Sequence, residues 1–164
     1  MNIKELKNGI ENHKKRSPST YNENINITLP LYIIHQKIFS GISQIQEKRH
    51  GITNIELDVL ASLVMGGGDD YTLSPTQLYD RLLFSSGGMT KVLKRLEDKG
   101  YIIRLENSGD KRSKLVRLTS KGKETSTRVL KDVIAYETKY FDCLDKDEKE
   151  NFKNLLFKVL ENTD

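Results

Sequence analysis

Three helix starts follow one another closely in the middle of the chain, and they constrain the fold more than any other feature of the sequence. The segments 53–56 and 74–77 each pair a Ser or Thr with a Glu or Gln three residues later, the spacing of a capping box. A third helix has Ser85 and Ser86 at its start, and Gly100 closes it. Only two or three residues separate the second helix from the third. So short a connection forces a sharp corner, as a helix-turn-helix requires.

The residue pattern changes directly after the third helix. Residues 101–106 and 114–119 are rich in β-branched and aromatic residues, and turn-forming residues fill the interval between them. This pattern predicts a β-hairpin whose tip carries two adjacent cations, Lys111 and Arg112. A short strand at residues 72–73 is also expected.

Longer helices are predicted on both sides of this central region. An apolar face with steps of three and four residues predicts a helix from about Thr28 to Arg49, with Pro30 in its first turn and Gly51 at its end. The face consists of Leu31, Ile34, Ile38, Ile42 and Ile45. Two amphipathic helices follow the hairpin, and a short helix and a linker precede Thr28. The expected fold class is therefore mainly α with a small β-hairpin.

Positive charge is concentrated in one part of the chain. The formal net charge is +4, yet residues 85–128 contain twelve basic and five acidic side chains, so that the rest of the chain is acidic. Such a block suggests an anionic partner, of which nucleic acid is the commonest. The alternative is a charged face that only meets solvent.

The third helix has a face suited to the major groove of DNA. Its apolar residues lie on one side, whereas Gly87, Lys91 and Lys94 lie near the opposite side, flanked by Thr90 and Arg95. Otherwise the glycines form a soft cap and the lysines are ordinary surface residues. The candidate DNA-binding residues are Ser85, Ser86, Gly87, Thr90, Lys91 and Lys94 in the helix and Asp110, Lys111 and Arg112 in the hairpin.

Two motifs give these elements a family likeness. Residues 90–100 carry the pattern Thr-x-x-x-x-x-Leu-Glu-x-x-Gly, and Asp110 and Arg112 form an Asp-x-Arg in the hairpin. With the order of helices and strands, they resemble the MarR family of bacterial winged-helix repressors over residues 28–160. The resemblance implies that Arg112 contacts the minor groove and that Asp110 orients it.

The resemblance also implies an assembly and a function. Residues 1–27 are expected to be a short helix and linker, 28–52 and 119–164 a helical dimerisation region, and 53–118 a winged helix-turn-helix DNA-binding domain. The expected protein is a homodimeric, sequence-specific transcriptional regulator, a repressor, that reads a pseudo-palindromic operator in double-stranded DNA. Many family members release DNA when a small aromatic effector binds between the two regions.

The competing hypothesis is a winged-helix protein-interaction module without sequence-specific DNA binding. That function predicts an apolar exposed face on the third helix. Tyr32 and His35 are candidates for effector binding, although a tyrosine beside an apolar face more often only packs, and a histidine there more often packs or faces solvent.

Catalytic, metal and membrane functions have no support in the sequence. No Gly-rich phosphate loop, paired carboxylates or nucleophile elbow is present, so no catalytic residue is assigned and the protein is not expected to be an enzyme. Cys143 is the single cysteine, and none of the three histidines has another metal-ligand residue type four positions away on a helix, so neither a metal nor another cofactor is expected. Without a long apolar run, a cytoplasmic protein that does not enter membranes is expected.

Overall fold

The computed structural model describes residues 2–82, 86–107 and 114–163. Contacts within the chain divide it into one unit up to Ser40 and another from Gly41. The domain boundaries expected from the sequence, at residues 27, 52 and 118, stay predictions.

The first unit begins with helix α1, Ile3–Arg16. Its first turn is closed by a capping box, in which the Glu5 N–H donates to Asn2 Oδ1 and the Asn2 N–H donates to Glu5 Oε2, both at 2.9 Å. A single 3₁₀ turn, Pro18–Thr20, lies within the predicted linker.

Helix α2, Ile25–Ile45, starts three residues earlier than the predicted Thr28. The Thr28 N–H donates to the Asn24 carbonyl at 2.9 Å, so the helical hydrogen bonds already begin at Asn24. Consequently Pro30 lies inside the helix, and its placement in the first turn was wrong. The predicted end is confirmed, because Gly51 adopts a left-handed φ of 62° after a π-helical turn, Gln46–His50.

The predicted helix-turn-helix elements are α3, Asn54–Gly66, α4, Pro75–Leu82, and α5, Ser86–Asp98. Both predicted capping boxes form: the Thr53 N–H donates to Glu56 Oε2 at 2.8 Å, and the Ser74 N–H donates to Gln77 Oε1 at 2.8 Å. The three residues between α4 and α5 lie outside the described part of the chain.

The turn after α5 is also the predicted one. Gly100 has a φ of 71°, and the Tyr101 N–H donates back to the Leu96 carbonyl at 2.9 Å. This is a Schellman motif, which turns the chain from the end of the helix into the sheet.

The sheet has three antiparallel strands in the order β1, β3, β2: β1 is Thr72–Leu73, β2 is Ile102–Glu106 and β3 is Lys114–Leu118. Ile102 pairs with Leu118, and Glu106 pairs with Lys114. The hairpin predicted from the sequence is therefore present up to residues 107 and 114.

Two long helices complete the second unit: α6 is Ser120–Phe141 and α7 is Lys146–Glu161. One buried cluster joins α3, α4, α5, the sheet and α6. It is centred on Leu60, Leu63, Leu78, Met89, Leu96, Val116 and Val129, all at 0% exposure. The predicted fold class, mainly helical with a small antiparallel sheet, is confirmed.

In residues 2–82, 86–107 and 114–163, no helix has the length and apolarity needed to span a membrane.

Candidate nucleic-acid interface

Helix α5 is fixed to the second unit through one apolar face. Met89 and Leu96 are fully buried, and Val92 and Leu93 are each 3% exposed, in contact with α3 and β2. Burying four such side chains holds both the axis and the rotation of the helix. The outward-facing side of α5 is thereby defined.

That outward side carries three of the predicted DNA-binding residues. Thr90, Lys91 and Lys94 are all exposed, as the helical spacing predicted. Among the residues the structure describes, neither Lys91 nor Lys94 has an ion-pair partner. Ser86 is the first residue of the helix and Gly87 the second. The structure therefore brings Thr90, Lys91 and Lys94 together on one face.

The remaining predicted site residues cannot be placed in the same way. Ser85, Asp110, Lys111 and Arg112 lie outside the described residues. Their roles in DNA binding stay predictions.

Most other cations of the basic block are bound to protein groups. Four are ion-paired with carboxylates, and two lie over tyrosine rings. These residues are Arg95 and Lys99 on Glu56, Arg104 on Glu97, Arg117 on Asp70, Lys121 over Tyr101 and Lys123 over Tyr71.

Glu56 is the most buried of the paired carboxylates, at 1% exposure. Lys99 Nζ donates to both of its oxygens at 2.9 Å, and Arg95 Nε lies 3.5 Å from Oε1. Burial raises the pKa of the Glu56 carboxyl, but hydrogen bonds from Lys99 and the Thr53 N–H, with the charges of Lys99 and Arg95, outweigh burial and lower this pKa below its ordinary value. Glu56 is therefore an ionised buried group that ties the start of α3 to the end of α5.

Two lysines in the first turn of α6, Lys121 and Lys123, contact residues outside that helix. Lys123 Nζ lies 4.2 Å from the centre of the Tyr71 ring and donates to the Tyr71 hydroxyl at 2.6 Å. Lys121 Nζ donates to the Lys99 carbonyl at 2.8 Å. These lysines contact other parts of the protein, which leaves Lys91 and Lys94 as better placed cations for an external partner.

A cavity of about 430 Å³ opens between α4, α5 and the hairpin. Its lining combines two cations, Arg104 and Lys114, with one aromatic ring and several apolar groups. The Arg104 Nε is buried and lies 3.3 Å from Glu97 Oε2, but the two atoms do not form a hydrogen bond. Arg104 is thus ion-paired with Glu97, while its buried Nε–H has no hydrogen-bond acceptor among the described residues and lies beside the cavity.

Sequence reasoning missed both Glu56 and this cavity as functional features. Glu56 was recognised only as part of a capping box, because the residues that bind it are about forty positions away in the chain. Arg104 and Lys114 entered only the count of basic residues. No short spacing in the sequence predicts the ion pairs of Glu56 or the cavity lined by Arg104 and Lys114.

Tyr32 and His35 belong to α2, within the first unit, and Cys143 follows α6. Tyr32 is 66% exposed, and His35 is exposed and stacked on Phe39 with ring centres 5.8 Å apart. Cys143 is exposed, with Sγ 3.8 Å from the Tyr140 carbonyl oxygen. A role for Tyr32 or His35 in effector binding stays a prediction.

Comparison with known proteins places these elements in a family. A family model described as MarR family matches residues 50–113, which include α3, α4, α5 and β2. The chain is 30% identical over 143 residues to the uncharacterized HTH-type transcriptional regulator YkoM of Bacillus subtilis, and the match covers 84% of this chain and 88% of YkoM. It is 32% identical over 104 residues to the HTH-type transcriptional regulator PecS of Dickeya dadantii, covering 63% of this chain but only 62% of PecS.

The fold comparison agrees. A cysteine-to-serine mutant of MarR from Escherichia coli, in a crystal structure with operator DNA, superposes with a TM-score of 0.70 at 28% identity, covering 86% of this chain and 98% of that chain. Proteins of this family are transcriptional regulators and not enzymes. The chain therefore belongs to the MarR family of winged helix-turn-helix transcriptional regulators.

Proposed function

We propose that this regulator binds a specific sequence in double-stranded DNA through α5 and the hairpin, acting as a homodimeric repressor in the cytoplasm. The observation that carries the proposal is the exposed cationic face of α5. Lys91 and Lys94 project from a helix whose opposite face is buried, and neither is paired with a described residue. Helices of this kind insert their N-terminal residues into the major groove.

The same face argues against the protein-interaction alternative. A helix that binds another protein presents apolar or aromatic residues at the centre of its contact surface. The outward side of α5 instead presents Thr90, Lys91 and Lys94. The charged lysines suit contacts with phosphates or base edges, and the small threonine lets the helix approach the base edges closely. The MarR mutant with operator DNA supports this proposal by its likeness to the chain.

Exposed apolar residues on α7 support the homodimer. Within Lys146–Glu161 no residue is buried, although the helix has a continuous apolar side. That side includes Phe152, Leu155, Leu156, Val159 and Leu160, which are 37–66% exposed. So large an apolar surface is unusual for a monomer and typical of a protein interface. A second copy would cover it and pair two recognition helices for a pseudo-palindromic operator.

The cavity behind α5 supports a response to a small ligand. Its volume of about 430 Å³ lies within the range of small-molecule sites, and Thr90 and Leu93 of α5 form part of its wall. An aromatic carboxylate fits this lining, since the ring meets Tyr79 and apolar groups while the carboxylate meets Arg104. Occupation would therefore act on the helix that reads DNA.

This part of the proposal is tested by thermal unfolding with 4-hydroxybenzoate, using neutral 4-hydroxybenzamide as the control. The acid should raise the melting temperature of the parent, because ligands that bind the folded state stabilise it. The amide should have little effect, and Arg104→Met should lose the response to the acid. Equal effects of acid and amide would contradict a charge-selective site.

DNA binding itself is tested by a salt titration and a footprint. Operator fragments, selected from genomic DNA, should bind less tightly as salt rises, with a logarithmic slope of roughly 0.9 for each neutralised phosphate. Protected half-sites should be centred about 10 base pairs apart. A slope near zero would exclude nucleic acid as the partner.

A further inference from the structure

Three cations spaced four residues apart form one ridge along α5 and the turn that follows it: Lys91, Arg95 and Lys99. They differ in their surroundings. Lys91 is exposed and has no ion pair with a described residue, whereas Arg95 and Lys99 both meet the Glu56 carboxylate. Positive charge available to an external partner is therefore confined to the N-terminal end of this ridge.

Arg95 is paired with Glu56 although it could point into solvent. Its side chain is 52% exposed, yet its Nε lies 3.5 Å from the Glu56 carboxylate, which is only 1% exposed. Lys99 is held more tightly, since its Nζ donates to the Gly51 carbonyl at 2.9 Å in addition to Glu56. The charge of Glu56 is therefore the described feature that attracts both Arg95 and Lys99.

Helix capping alone does not require that charge. The capping box at the start of α4 uses Gln77, whose neutral amide oxygen accepts from the Ser74 N–H at 2.8 Å. The Glu56 oxygen accepts from the Thr53 N–H at the same distance of 2.8 Å. An amide thus performs the capping task elsewhere in this chain, so the negative charge of Glu56 calls for a second role.

We infer that Glu56 is a positioning residue that holds Arg95 and Lys99 away from DNA phosphates, so that α5 meets DNA mainly through its N-terminal half. This inference rests on the proposed DNA-binding function. Phosphate contacts add affinity for every sequence alike, whereas contacts to base edges distinguish sequences. By withholding two cations from the phosphates, Glu56 would lower binding to random DNA and so increase discrimination in favour of the operator.

The test is Glu56→Gln, which keeps an oxygen for the Thr53 N–H and removes the charge. Binding to operator and to random DNA is measured at several salt concentrations. Random DNA should bind roughly two- to eightfold more tightly at 0.1 M salt, with the slope steeper by up to about 0.9 for each cation released. Operator affinity should rise less, because base contacts fix the docking geometry there. The ratio of the two affinities should fall.

Glu124→Gln is the matched control. Glu124 is an exposed acid of the same basic block, has no ion pair with a described residue, and its loss changes the net charge equally. This variant should leave the ratio of operator to random binding unchanged. An equal fall in the ratio for both variants would show a general charge effect and overturn the inference.

Arg95→Gln tests the contact between Arg95 and Glu56 by changing Arg95. It leaves the hydrogen bonds between Lys99 and the buried Glu56 carboxylate in place. Alone, it should change binding to random DNA little, because Arg95 is withheld already. Combined with Glu56→Gln, it should remove a large part of the gain in random binding. If Arg95→Gln alone weakens DNA binding as strongly as Lys91→Ala, Arg95 is a DNA contact and the inference is wrong.

The remaining outcomes separate this inference from the proposed function. A parent protein without salt-dependent DNA binding would contradict the proposed function. A parent that binds DNA, with a Glu56→Gln variant that shows equal losses on both DNAs or no change at all, would leave the proposed function standing and overturn the role of Glu56.

Discussion

Gly122 and Tyr101 approach each other so closely that a β-carbon on Gly122 would overlap the Tyr101 carbonyl oxygen. This contact joins the first turn of α6 to the chain between α5 and β2. Thr119 strengthens the junction, since its hydroxyl donates to the Gly100 carbonyl at 2.8 Å and its N–H donates to the Tyr101 carbonyl at 3.0 Å. The start of α6 is therefore fixed directly to the turn that follows α5.

Gly122→Ala should destabilise the protein, because the added methyl group meets backbone that cannot rotate away. A cost of about 1–3 kcal/mol is expected, which corresponds to a drop in melting temperature of several degrees. Gly9→Ala is the control, since a β-carbon at that helical position has no neighbour within 4 Å. It should be neutral or slightly stabilising. Equal melting temperatures for the parent and Gly122→Ala would contradict the close contact.

Glu56 should make stability depend on pH in the acid range. Its pKa is lowered in the folded protein from an ordinary value of 4.5. A group of this kind stabilises the fold above its unfolded pKa, and that contribution is lost as the pH falls through the lower, folded pKa. Glu56→Gln should therefore cost about 1.5–3 kcal/mol of unfolding free energy at pH 7. The difference between parent and variant should shrink below about pH 4.5.

Denaturant unfolding at pH 7, 5, 4 and 3 measures this difference. Glu124→Gln again serves as the control, since it removes an exposed acid of the same basic block that has no ion pair with a described residue. A Glu56→Gln difference that stays constant down to pH 3 would show that its charge does not contribute to stability.

Local features of this fold were readable from the sequence. A capping box needs only residues three positions apart, so the starts of α3 and α4 followed directly from Thr53 and Ser74. The left-handed turn at Gly100 was equally local. The start of α2 was missed because no such box marks it, and Pro30 suggested a first turn that the structure does not have.

Tertiary contacts were not readable in the same way. Lys99 and Glu56 are 43 positions apart, and their ion pair forms only because α3 packs against α5. The contact between His50 Nε2 and Asp132 of α6 belongs to the same class, since the two residues lie 3.0 Å apart in space and 82 positions apart in the chain. Sequence periodicity predicts which face of a helix is buried, but not which side chains meet there.

Leu155→Glu should dissociate the proposed homodimer. Leu155 is 63% exposed in the single chain, so a charge there should not disturb the fold of a monomer. Buried in a dimer interface, the same charge would be strongly unfavourable. Asn154→Glu, on the opposite side of α7, introduces the same charge as a control. Sedimentation should show monomer for the first variant and dimer for the second, and a stable dimer for both would exclude α7 from the interface.

Lys91→Ala should weaken operator binding selectively. Lys91 lies on the exposed face of α5, where a side chain can reach a base edge. We expect a loss of about 1–3 kcal/mol on the operator and little change on random DNA. Lys131→Ala removes an exposed lysine of α6 and should change neither. Equal losses on the two DNAs would identify Lys91 as a phosphate contact and not a base contact.

Unlike Lys91→Ala, Arg112→Ala should weaken binding without strong selectivity for the operator. The turn-forming residues around Arg112 predict that it lies at the tip of the hairpin, and the family resemblance implies that it enters the minor groove. There it would respond to groove width and potential more than to individual bases. Its loss should therefore weaken operator and random DNA more nearly alike, with some loss of preference for A·T-rich flanks. Asp110→Ala should give a milder form of the same loss, since Asp110 would only orient the guanidinium. Both variants should keep the melting temperature of the parent. A folded Arg112→Ala variant that binds as tightly as the parent would remove the hairpin from the DNA interface and leave α5 as the DNA-reading element.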